Sequence, residues 1–405
     1  MDLIDNRGLI DGITLWDGRS ERGIVSLRWN GGTIEGLEGA ASDRHSGLSV
    51  IPGLVDTHVH FDTEIADDGR PQDAAWPIVT PDAEKAMHVA GNALRFAAHG
   101  VTTMRDLASS PVQIAVARAF EQGVIAGPRL LAYGPVGMTA GHGDLFTPPA
   151  LRDRPPVADG VDECRKLVRQ WARAGADGIK IYTSGGILST GDKVGWRNHT
   201  RAETEAILDE AHALGLRVAA HAHSTEGFDI ALAVGVDSIE HGTGITTEHH
   251  GELLRRRLPV APTVIVHDAI LAGTDPRRAA AREKARVTLA RRDPAFRAAA
   301  EAGVRFVLGT DANGHLVRYG GQLDELRRMR DLFGWTAERT LVSGTSDAAD
   351  AVGLGDIVGT LAPGYGADFV VVRGRPWRDL DNLTSDRIVA VVARGRLLAG
   401  ALPRG

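Results

Sequence analysis

Ile51-Pro-Gly-Leu-Val-Asp-Thr-His-Val-His60 is the stretch that decides the fold. It is a short apolar run of strand type, punctuated at its start by Pro52 and Gly53 and ending in two histidines. His58 and His60 are two residues apart, so on an extended backbone both imidazoles point to the same side. Two imidazoles on one face at a strand end can grip one metal ion. A bare His-x-His is as often a pair of polar residues at a loop mouth. Here Asp56 precedes the pair and more histidines recur at strand ends downstream, which favours chemistry.

Outward from this stretch, apolar strand-like runs alternate with helical ones. The further runs are residues 100–106, 128–134, 178–182, 217–221, 237–241, 259–263 and 305–311, and the opening run makes eight. Helical stretches are expected at 81–98, 161–174, 201–214 and 277–302, with more helix between 320 and 352. Eight strand–helix units in about 300 residues predict a (β/α)8 TIM barrel, an α/β fold, and we place it at residues 51–358. Both chain ends read differently. Short alternating runs at 12–16, 23–28 and 32–36 are matched by others at 368–373, 388–394 and 396–399. Neither end carries enough apolar strand to fold alone. Residues 1–50 and 359–405 are therefore expected to pair into one discontinuous β-sandwich domain.

The 405 residues are 43% hydrophobic and 24% charged, an ordinary soluble composition. A net charge of −6 gives no reason for attraction to nucleic acid or to a membrane surface. No window is apolar enough to span a bilayer. Cys164 stands alone, so no intrachain disulfide forms. The first residues have no basic-then-apolar leader pattern. A cytoplasmic enzyme of small-molecule substrates is the expectation, and a homo-oligomer is compatible with it. Lysine is scarce: five of 46 basic residues, namely Lys85, Lys166, Lys180, Lys193 and Lys284. A lysine at a strand end is then expected to serve through its amine rather than its charge.

In such barrels chemistry collects at the carboxyl ends of the strands. Those ends carry His58, His60, Lys180, His221, His241 and Asp311. Imidazole and carboxylate suit Zn²⁺ or a similar borderline ion. An ammonium would repel it, but a buried lysine loses its proton readily and its amine can then add carbon dioxide. The carbamate so formed is a two-oxygen anion able to bridge two divalent ions. Two bridged ions bind a water and lower its pKa toward neutrality. Asp311 can then ligate one ion, take the water's proton as general base and pass it to a leaving amine. In the loop Met138-Thr-Ala-Gly-His-Gly-Asp144, flanking glycines let the backbone bring His142 close to a ligand, as a substrate-contacting or oxyanion-stabilising group. Tyr182 shares the face of Lys180 and can donate a hydrogen bond to substrate. His223 repeats the geometry of His221, and on pattern alone either could be the ligand. Arg197 and His199, in the 185–200 segment, are candidate partners for a substrate carboxylate.

These stretches together resemble the amidohydrolase superfamily over essentially the whole chain. The carriers are the Pro52–His60 run, Gly100-Val-Thr-Thr-Met-Arg-Asp106, Gly141-His-Gly-Asp144, Gly175-Ala-Asp-Gly-Ile-Lys180, Val218-Ala-Ala-His-Ala-His223, Ser238-Ile-Glu-His-Gly242 and Gly309-Thr-Asp311. Within the superfamily the chain is most similar to the imidazolonepropionase-related branch, with its prolidase-like dipeptidases and ochratoxinase-like amidases. The resemblance implies His58, His60 and Asp311 on one metal, His221 and His241 on the other, and carboxylated Lys180 between them. It favours His221 over His223 and makes His142 a substrate contact. It implies a binuclear amide hydrolase, using a metal-bridged hydroxide, on an N-acyl amino acid, dipeptide or related amide. A ring-opening cyclic amidase or deaminase with one metal is the alternative. A non-catalytic binding scaffold would be expected to have lost ligands, and all six stand here. The chain departs from the branch at Thr139-Ala-Gly141, in place of Thr-Gly-Gly, and at Ala312-Asn-Gly-His-Leu316, which lacks the usual proline.

Overall fold

The computed structural model describes residues 6–64, 76–147, 150, 154–189 and 191–403. Its strands are β1 (Gly8–Trp16), β2 (Glu21–Asn30), β3 (Thr33–Gly39), β4 (Leu48–Pro52), β5 (Leu54–Val59), β6 (Val101–Leu107) and β7 (Arg129–Val136). They continue as β8 (Gly178–Tyr182), β9 (Arg217–Ala222), β10 (Ser238–His241), β11 (Val260–Ala261), β12 (Phe369–Arg373), β13 (Ile388–Ala393) and β14 (Arg396–Gly400).

Strands β5 to β11 pair in chain order, all parallel. The expected eighth run does not form a regular strand. Residues 305–312 close the ring through single parallel bridges, Val260 to Phe306 on one side and Val59 to Ala312 on the other. Backbone bonds support them: Val307 N to Val260 O at 3.0 Å, Thr57 N to Leu308 O at 2.9 Å and His60 N to Ala312 O at 2.8 Å. Gly309 comes so close to β11 that a Cβ there would lie 2.8 Å from that of Ala261, and Asp311 has φ 55°. A left-handed residue interrupts a ladder, so the last stave is present without strand regularity.

The opening run also differs from its sequence reading, because it is two strands. Ile51 and Pro52 belong to β4, which pairs with β1 and β12, and the barrel begins at Leu54. Gly53 marks the change: a Cβ there would sit 2.1 Å from Thr102 Oγ1. Strand β4 thus takes its place in a seven-stranded mixed sheet ordered β14-β13-β12-β4-β1-β2-β3, drawn from both chain ends. In that order β1 and β4 lie between β2 and β12, a flat-sheet distance of roughly 14 Å. Yet Trp29 on β2 and Phe369 on β12 meet edge to face with centroids 5.1 Å apart. The sheet therefore folds over on itself as a sandwich, closing on Ile13, Leu27, Trp29, Val50, Phe369 and Val371.

Helices cover the barrel where periodicity predicts them. Val161–Ala174 ends on left-handed Gly175, and Arg201–Ala213 starts with a capping box between Thr200 and Glu203. The single helix expected over 277–302 is broken into Ala279–Thr288 and Arg292–Glu301. Pro294 explains the break, since a residue without an N–H is tolerated in a helix's first turn and not in its interior. No described helix is long and apolar enough to cross a membrane.

Candidate active site

All six candidate ligands line one cavity of about 440 Å³ at the carboxyl ends of the barrel strands, together with His142, Tyr182 and His223. His58 is fully buried at the end of β5. Its Nδ1 lies 2.9 Å from Glu240 Oε2. Glu240 in turn accepts from Arg105 Nη2 at 2.6 Å and Ser238 Oγ at 2.6 Å, and Arg105 Nε donates to Thr57 O at 2.6 Å. Burial pushes the Glu240 carboxyl up, but Arg105 and His58 outweigh it and hold it down at about 2. The carboxylate keeps the proton of His58 on Nδ1 and leaves Nε2 bare for a ligand, the usual support for a metal-binding histidine. Burial lowers His58 itself to about 4, so the ring is neutral.

The Nε2 atoms of His58 and His60 lie 3.6 and 3.0 Å from the same oxygen, Asp311 Oδ1. Burial works against the Asp311 carboxylate, but His58 and His60 overcome it and hold the group well below its ordinary range. Ligand atoms of His58, His241 and Asp311 form one cluster, and those of His221, His223 and His241 another, each within 4.8 Å. His241 Nδ1 sits 2.8 Å from Thr263 Oγ1, leaving Nε2 free. His221 Nε2 is 3.3 Å from Gly185 O, leaving Nδ1 free. His223 Nδ1 is 2.9 Å from Thr243 Oγ1, whose own proton goes to His223 O, so Nε2 stays bare. Burial drives all three rings well below their ordinary pKa, which keeps them in the neutral, ligating form. His241, Thr263 and Asp311 have φ of 66°, 46° and 55°. Such left-handed non-glycine residues cost energy and gather at functional sites.

Lys180 is buried on β8, and its Nζ makes no hydrogen bond or salt bridge with a described residue. Burial lowers its pKa to about 8, although Glu240 and Asp311 pull the other way. His60 differs from the other rings: burial works to lower its pKa, but the hydrogen bond and charge of Asp311 outweigh it and raise it. A donor set of imidazoles, one ionised carboxylate and an easily deprotonated amine fits a borderline divalent ion.

His142 stacks on His221 with centroids 4.3 Å apart, and Tyr182 meets His142 edge to face at 5.2 Å. Two other candidates are elsewhere. His199 is buried with Nε2 2.9 Å from Ala158 O, and Arg197 is exposed and does not line the cavity. The part of the 185–200 segment that reaches the cavity is Ile187 and Leu188. Residue 190 lies outside the described residues. Sequence reasoning missed Arg105 and Glu240, whose signal was a charged residue inside an otherwise strand-like run. It also missed His267, a buried ring on the cavity wall carried by a helix rather than a strand end.

This geometry has counterparts among known proteins. Residues 49–398 match the model of the amidohydrolase family. The chain is 29% identical over 367 residues to an ochratoxinase of Aspergillus niger, covering 85% of this chain and 74% of the relative. It is 28% identical over 408 residues to an imidazolonepropionase of Deinococcus deserti, covering 91% and 86%. It superposes on a Xaa-Pro dipeptidase solved with methionine in its active site, with TM-score 0.85 and 30% identity, over 96% of this chain and 99% of that one. A match that runs from β4 to β14 shows that this chain belongs to the amidohydrolase family and is a hydrolase acting on carbon–nitrogen bonds.

Proposed function

We propose that this enzyme is a binuclear metal-dependent amidase acting on an N-acyl amino acid, a dipeptide or a related amide with a bulky apolar group. The observation that carries this is Lys180: a buried amine with a lowered pKa and no hydrogen bond or salt bridge to a described residue, in a cavity it shares with the imidazoles of His58, His60, His221 and His241 and the carboxylate of Asp311. His58, His60 and Asp311 would hold one ion, His221 and His241 a second, and Lys180 as its carbamate would bridge them; Zn²⁺ suits the donors. Bound there, the ions supply Lewis acidity to the scissile carbonyl and lower the pKa of a water. Asp311 accepts the proton of the attacking water and returns it to the leaving nitrogen. His142 and Tyr182 contact the substrate. Phe146, Val157, Leu188, Val266 and Ile270 offer it an apolar wall. A substrate carboxylate would have to find a partner other than Arg197 or His199.

A second function is favoured by one feature. The cluster of His221, His223 and His241 could hold one ion with no help from Lys180, as a ring-opening cyclic amidase or a deaminase with a single metal would need. Replacing Lys180 separates the two. For the binuclear amidase, the native protein should contain about two equivalents of divalent metal. Lys180→Ala should lose most metal and activity, with partial rescue by short carboxylic acids. One equivalent in an active native protein, with Lys180→Ala still active, would select the single-metal enzyme. A screen over N-acyl amino acids, dipeptides, lactams and carbamates then identifies the scissile bond.

A further inference from the structure

His142 is held from behind by groups that take no part in the metal clusters. Its Nδ1 lies 3.0 Å from Ser189 Oγ and 3.5 Å from Asp192 Oδ2. The one hydroxyl proton of Ser189 is directed to Asp192 Oδ1, with Gly186 O at 3.4 Å as its other acceptor. Either way Ser189 turns a lone pair toward His142. Asp192 is buried and receives Lys284 Nζ at 2.9 Å and Gly186 N at 2.9 Å. Lys284 comes from the helix Ala279–Thr288, far along the chain, and also donates to Ser189 O at 2.6 Å and Gly186 O at 3.0 Å. Every partner at Nδ1 is therefore an acceptor, which puts a proton on that nitrogen. The ring has little freedom to turn. A Cβ on Gly186 would lie 1.9 Å from His142 Cε1, and the backbone N of His142 is pinned to Asn198 Oδ1 at 3.0 Å. No described residue bonds to Nε2.

We propose that Asp192, with Ser189 and under the hold of Lys284, is the positioning group that fixes His142 as its Nδ1–H tautomer and presents Nε2 to the substrate. This rests on His142 being a substrate contact. It is the arrangement by which a carboxylate orients a working imidazole in hydrolytic triads, reached here through a serine and neutralised by a lysine. A neutral ring held this way offers the substrate a hydrogen-bond acceptor.

The test is Asp192→Asn, whose amide can donate to Nδ1 and so favour the opposite tautomer. We expect kcat to fall by about 10²-fold or more, as when a histidine is held in its wrong tautomer, with KM and metal content unchanged. Asp192→Glu should recover part of the loss. Ser189→Ala and Lys284→Met should fall in the same direction by less, and they serve if Asp192→Asn folds poorly. Nitrogen NMR of ¹⁵N-histidine protein without substrate should show the Nδ1–H signature of His142 in the wild type and its change in Asp192→Asn. A costly His142→Ala beside an Asp192→Asn with native kcat and native tautomer would overturn the positioning role alone. If His142→Ala itself keeps native kcat and KM, the substrate contact has failed and the proposal falls with it, whatever the tautomer.

Discussion

His58 depends on side chains that never reach the cavity. Glu240 fixes its tautomer, and Arg105 makes that carboxylate tolerable in a buried position by donating to it, its other N–H groups going to Ser238 Oγ and Thr57 O. Removing one member of a buried charged pair leaves the other uncompensated. Glu240→Gln should therefore weaken metal binding by about 10–100-fold, the usual cost of losing such a support, as measured by competition with a chromophoric chelator. Native affinity in that variant would mean that the carboxylate serves folding alone. The strand-end histidines were legible in the sequence because period-two alternation aims them at a known place. Arg105 and Glu240 were not, because what identifies them is their contact across the barrel, 135 residues apart in the chain.

At the scale of elements, one carboxyl joins two helices. Glu325, fully buried on Gln322–Phe333, accepts from the backbone N–H of Val264 and of Ile265 at 2.8 Å each, at the start of Val264–Ala272. Those bonds favour its ionised form, but burial prevails and raises its pKa from the ordinary 4.5 to about 8. The neutral acid is thus the form the fold prefers. Its contribution to stability is full below the unfolded value of 4.5 and is lost as pH rises toward about 8. Thermal melts should show stability declining across that window, with a shallower slope in Glu325→Gln even if that variant is less stable throughout. An unchanged slope would remove Glu325 as the source. The structure starts the helix expected over 201–214 with the Thr200–Glu203 capping box, and that helix was readable from its local period. The split of the opening run at Gly53 was not, because its cause is Thr102 on the neighbouring strand.

For the whole molecule, the chain-end sheet and the barrel share a continuous piece of chain. Strand β4 lies between β1 and β12 and, one residue later, becomes the strand that carries His58. Ending the chain near Val358 would strip five paired residues from β4 and uncover Val50 and Trp29. The truncated protein should be insoluble, and a soluble, active product would show that the first residues need no partner from the last. Composition and alternation pointed to this pairing of ends. They could not reveal that a single sheet bends over to form both layers, since that depends on where Trp29 and Phe369 meet.

The last stave has a consequence for how the barrel behaves. Most joints of the ring are strand ladders, but residues 305–312 are held by isolated bridges. Asp311 sits on that seam, and His58 on β5 and His60 just past its end face it. An ion gripped by these three would act as a rivet between the first stave and the last. Loading the site and locking the cylinder would then be one event, so amide protons along the seam should exchange with solvent more slowly once the rivet is in, while those between β8 and β9 keep their pace.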